Sequence, residues 1–105
     1  MFRILLAAAV IIATPAIGFA NHATNARDAF KEANDAMMHG MPSLTGDADK
    51  DFVMMMIPHH QGAIDMANIE LKYGKDETLR AMAQAIVAAQ EKEIKEMKDW
   101  QARHP

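Results

Sequence analysis

The chain has no cysteine. That excludes disulfides, and with them the thiolate sites of structural zinc, iron–sulfur clusters and covalently attached haem. Positive charge is not in surplus either: 11 Lys and Arg stand against 14 Asp and Glu, and no basic patch forms, which argues against nucleic acid as a partner. No apolar run reaches the roughly 20 residues that a membrane-spanning helix needs. The longest, Ile4 to Ala13, follows a positive start at Arg3 and precedes Gly18-Phe19-Ala20, with small residues at the two positions that define a cleavage site. This is the form of a secretory signal peptide. Residues 1–20 are therefore expected to be removed between Ala20 and Asn21, leaving a periplasmic or secreted domain from Asn21 to Pro105; an uncleaved membrane anchor is the alternative. Nothing reads as a strand, a repeat or a low-complexity tract. Catalytic arrangements are missing as well. There is no nucleophile–base–orienter set and no Glu-x-x-His, paired copies of which a di-iron bundle enzyme needs. The nearest approach, Asp35-Ala36-Met37-Met38-His39, has the wrong acid, one residue too many and no second copy. The chain reads as a non-enzyme. A small exported domain without disulfides leans on a metal or on very regular packing.

What the sequence does have is methionine beside histidine. Asp51 to Met66 reads Asp-Phe-Val-Met-Met-Met-Ile-Pro-His-His-Gln-Gly-Ala-Ile-Asp-Met. Thioethers and imidazoles together suit a soft or borderline transition metal, copper above all. Methionine at helical spacing is ordinarily core filler, but leucine fills a core about as well, with a swap costing under about 1.5 kcal/mol. Met54 to Met56 beside His59 and His60 need another reason.

Three helices are expected around this stretch. The first runs over about 26–38, started by Asn25 and stopped by His39-Gly40-Met41-Pro42, with glycine in a left-handed cap. The second runs over 47–73, capped by Asp47 or Asp49 and ended at Gly74. Its inward stripe is expected to be Phe52, Met55, Met56, His59, Ala63, Met66, Ala67 and Leu71, with a kink at Pro58. The third runs over 76–103 from a cap at Asp76, with Leu79, Met82, Ala83, Ile86, Gln90, Glu93, Met97 and Trp100 inward. The fold class is all-α: a small antiparallel bundle of three helices, completed to four or more if a homodimer forms. Helices two and three make a hairpin about Gly74-Lys75-Asp76, in which facing residues have numbers summing to about 150.

That hairpin brings Met55 level with Met97, and His59 level with Gln90 and Glu93. The short loop after the first helix adds Met38, His39 and Met41 to the same end. The expected metal ligands are Met38, His39, Met41, Met55, Met56, His59, His60 and Met97. His59 is expected to face inward, because His60 lies about 100° further round the helix, where it serves a second ion or a more exposed edge. Glu93 is expected to orient a histidine N–H from behind the ligands, or else to sit solvated at the rim. Met66 and Met82 form either a separate, weaker site or plain core. His22 would be the second residue after cleavage, able with the free amine to bind copper(II), and otherwise part of a plain tail. His104 is expected to be solvated.

The stretch Phe52 to Ala67 resembles the signature of family 305 of the domains of unknown function. Gly74-Lys75-Asp76, Ile86, Ala89-Gln90, Glu93-Ile94, Met97 and Trp100 continue the likeness. Met38-His39-Gly40-Met41 is similar to its Met-His-x-x-Met element, with one residue fewer. The resemblance implies a ferritin-like, exported helical domain, some members of which bind copper or silver through these methionines and histidines and serve in copper tolerance. Larger relatives carry two such units, where this chain has one. The expected function is a periplasmic copper(I) binder, also accepting silver(I) or copper(II), acting as buffer or chaperone toward a copper exporter or another periplasmic copper protein. The alternatives are a bundle holding noncovalent haem by one Met and one His for electron transfer, and a methionine-rich helical interaction domain without metal.

Overall fold

A computed structural model of the chain describes residues 25–105; the expected leader and His22 lie outside them. Three helices follow in order: α1 (Ala26–His39), α2 (Ala48–Tyr73) and α3 (Glu77–Arg103). Each starts where a short polar side chain satisfies an otherwise orphaned N–H. Asn25 accepts from the Asp28 amide at 3.0 Å, Asp47 from that of Lys50 at 3.0 Å, and Asp76 from that of Leu79 at 2.9 Å. At the other ends the Gly40 amide donates to Ala36 O and the Gly74 amide to Glu70 O.

Glycine at these two ends is not there for a left-handed backbone. Gly40 sits at φ −80° and Gly74 at φ −71°. Gly74 is required by space: a Cβ there would stand 2.6 Å from the Glu70 carbonyl oxygen. The left-handed position is Gly46, at φ 93°, in the loop between α1 and α2. The Asp51 carboxylate holds that loop, accepting from Thr45 N, Thr45 Oγ1 and Gly46 N at 2.7–2.9 Å. The Thr45 amide and hydroxyl hold this carboxyl below the usual aspartate range, with the Gly46 amide adding to them.

α2 runs continuously through Pro58. It is the centre of the fold, because α1 and α3 each pack on it and not on each other. Both run antiparallel to it. A Cβ at Gly62 would meet Met37, and one at Gly40 would meet Pro58, which fixes the α1 register. His60 meets Glu93 across the α2–α3 hairpin, so facing numbers sum to 153, close to the expected 150. Arg80 staples the turn, donating from Nη1 to Leu71 O at 2.7 Å and to Gly74 O at 3.1 Å.

The inward stripes differ from expectation. The buried hydrophobic residues are Ala29, Val53, Ile64, Ala67, Ala83 and Ile94, and no side chain among the described residues is completely buried. Phe52, Met55 and Met66 of α2, and Leu79 and Met82 of α3, are exposed. The reason is that α2 has neighbours on two sides. Pro58 and Gly62 meet α1, whereas Val53, Met56 and His60 turn toward α3; at 100° per residue the two sets lie about 170° apart. No single stripe can serve both contacts.

Candidate metal centre

Helical spacing builds a groove between α2 and α3. Asp49, Val53, Met56 and His60 recur at intervals of four, three and four on α2, and Glu93, Glu96, Met97 and Trp100 do the same work on α3. With Phe52 they line a cavity of about 750 Å³. Its walls supply one imidazole, two thioethers and three carboxylates.

His60 is the inward histidine, and His59 is exposed. This reverses the expected facing, because α3 sits on the Val53–Ile64 side of α2 and not on the Met55–His59 side. The rings of the two histidines lie 6.2 Å apart at 60° to one another. The expected partnership of Glu93 with a histidine falls to His60, whose Nε2 donates to Glu93 Oε2. The His60 side chain is 15% exposed and that of Glu93 51%, so the carboxylate stands at the rim and reaches inward. His60 Nδ1 is buried and has no hydrogen-bond partner. In the neutral ring a carboxylate at Nε2 keeps the proton on that nitrogen, which leaves Nδ1 with a lone pair. A desolvated lone pair of this kind is costly unless something accepts it.

The other expected ligands do not join this groove. Met55 is exposed on the neighbouring face of α2, and Met38 is exposed on α1. Met41 is half-buried in the loop after α1. His39 folds back on its own helix, donating from Nδ1 to Asp35 O at 2.7 Å. The expected single cluster at one end is thus divided: Met56, His60, Met97 and Glu93 line the groove, while Met38, His39, Met41, Met55 and His59 lie outside it. Met66 and Met82 do come together, in a separate trough with Phe30. His104 is exposed, as expected, and also makes contacts. It stacks on Trp100 at 4.2 Å and 12°, and its Nδ1 donates to Trp100 O at 2.8 Å.

Sequence reasoning missed Asp49, Val53 and Glu96 as groove residues. The signal was present: Asp49, Val53, Met56 and His60 form one helical stripe, offset by one residue from the stripe read from Phe52 and His59. Among the described residues no three His, Asp or Glu side chains converge to hold a metal. A metal ion held in this groove would therefore need the thioethers of Met56 and Met97 as well. No helix among the described residues is long and apolar enough to cross a membrane.

No curated protein matches the chain. The model of the family described as "Domain of unknown function (DUF305)" matches residues 15–101, and the chain belongs to that family.

Proposed function

We propose that the α2–α3 groove binds copper(I), with silver(I) as its mimic, through His60 Nδ1 and the sulfurs of Met56 and Met97. The observation that carries this reading is the orphaned, buried Nδ1 of His60, whose opposite nitrogen is anchored on Glu93. A carboxylate behind a ligating imidazole fixes its tautomer and raises its basicity. Thioethers select soft monovalent ions over zinc or magnesium, and they keep their affinity in acid because they carry no proton. Nitrogen and two sulfurs give a three-donor site, with the rim carboxylates of Asp49 and Glu96 adding negative charge around it. The role that fits is an exported, periplasmic copper buffer or chaperone. It holds the ion without chemistry and hands it to an exporter or another copper protein.

The test is competition against a copper(I) chelator. His60→Ala, and Met56→Leu combined with Met97→Leu, are each expected to weaken binding by at least about tenfold, or ~1.4 kcal/mol, with helicity retained. Unchanged affinity in both variants would refute the assignment.

A further inference from the structure

The three helices form a single layer, and its two faces differ. One face carries Gln61, Asp65, Asn68 and Lys72 along α2, a polar surface suited to water. The other carries Phe52, Met55 and Met66 of α2, Phe30 of α1, and Leu79 and Met82 of α3. These six are between 39% and 59% exposed. Phe30, Met66, Leu79 and Met82 share a trough of about 270 Å³ whose charged lining is Glu70 alone. That carboxylate is tucked against Gly74.

We infer that this apolar face is where a second copy of the chain seats, giving a two-layer homodimer. Side chains of this size carry ~200 Å² each, so the six leave roughly 550 Å² of apolar surface on one copy. Four of the six meet in the trough and Phe52 and Met55 continue the same side of α2 beyond His59, so the apolar area on this face is comparable with the largest patches of monomers, about 300–600 Å². Two copies bring about 1,100 Å² together before flanking residues are counted, which clears the ~1,000 Å² that a specific interface needs. No side chain among the described residues is fully buried, and a domain this small without disulfides commonly relies on association. A partner needed for folding has to be present whenever the chain is, which favours the chain itself. The trough around Met66 and Met82 has no projecting charge to select a partner of opposite sign, the carboxylates of Asp49, Glu93 and Glu96 standing further along beside Phe52, and thioether and phenyl groups are self-complementary. A twofold pairing buries the same patch on both copies, and the polar back stops the assembly at two.

The association is independent of the copper reading, and the test is run with a metal chelator present. Light scattering of the exported chain at about 100 μM should give twice the chain mass. Met66→Lys combined with Met82→Lys, at two exposed positions, should return it to one chain mass, and Asn68→Lys on the polar face should leave it dimeric. Should the double variant lose its helices, spin labels decide: Met66→Cys should give a shorter label–label distance between copies than Asn68→Cys. A single chain mass for the unaltered protein overturns the inference. So does a dimer that survives the double substitution, a shorter distance for the Asn68 label, or a monomer that cosediments with phosphatidylglycerol vesicles.

Discussion

Replacing Gly62 with alanine tests how α1 is held. In a helix interior the change from glycine to alanine is favourable by about 1 kcal/mol, because alanine loses less backbone entropy. Here the added Cβ would stand 2.7 Å from Met37 Sδ, 3.1 Å from its Cγ and 3.3 Å from its Cβ. The sulfur can swing away, but Cγ moves only with χ1, which a helix restricts, and Cβ is fixed to the α1 backbone, so the helix itself must back off by a few tenths of an ångström. Overpacking of this kind costs about 1–3 kcal/mol. The steric effect outweighs propensity, and a net loss of about 1 kcal/mol is expected. In a domain of this size that lowers the thermal midpoint by roughly 4–8 °C. Met37→Ala removes the two closest atoms, Sδ and Cγ, and leaves only Cβ at 3.3 Å, so adding it to Gly62→Ala should give a variant more stable than the two separate losses imply, with a coupling of about 1 kcal/mol. The assay is thermal unfolding followed by circular dichroism on all four proteins. A Gly62→Ala protein that melts above the wild type, with additive effects in the double variant, would show that α1 does not rest on this position.

Other outcomes follow from the same geometry. Glu93→Ala should lower copper(I) affinity about 10–100-fold while leaving His60 in place, read by the same chelator competition, and Glu93→Gln should fall between it and the wild type. Pro58→Ala restores a donor for the Met54 carbonyl and should raise the urea midpoint, by about 1–3 kcal/mol of stability. Asp51→Asn should destabilise the loop before α2. Because the folded state holds the Asp51 carboxyl below its ordinary value, the contribution is present at neutral pH and is lost as the pH falls through the lowered pKa. The difference between wild type and variant should therefore shrink below the usual aspartate pKa of about 3.9, as measured by melts across an acid series. Asp76→Ala removes the α3 cap and should cost about 1 kcal/mol in the same melts.

The caps made the helices readable from sequence. Asn25, Asp47 and Asp76 stand one residue before α1, α2 and α3, and the Gly74 turn fixed the hairpin register to within three in the facing sum. What sequence did not disclose was which side of α2 each neighbour takes. α2 is apolar around much of its circumference, with Val53, Ile57 and Ile64 on one side and Met55, Met66 and Ile69 toward the other, so periodicity fits more than one direction. The choice depends on Gly62, whose missing side chain admits Met37, and on Val53 and Ala67, which receive α3. With α3 there, His60 turns inward in place of His59, and the expected single cluster divides. Met56, Met97 and Glu93 belong to the groove because their facing follows directly from the hairpin register.

The Arg80 staple ties the hairpin at its closed end and owes nothing to α1. The first helix, by contrast, is attached along one line of small residues, with Met37 at Gly62 and Phe30 beside Met66. Hydrogen exchange should therefore proceed in two stages: amides of Ala26 to His39 surrender their protons through an opening that lifts this arm alone, while those of Val53 to Ala67 wait for disruption of the whole hairpin.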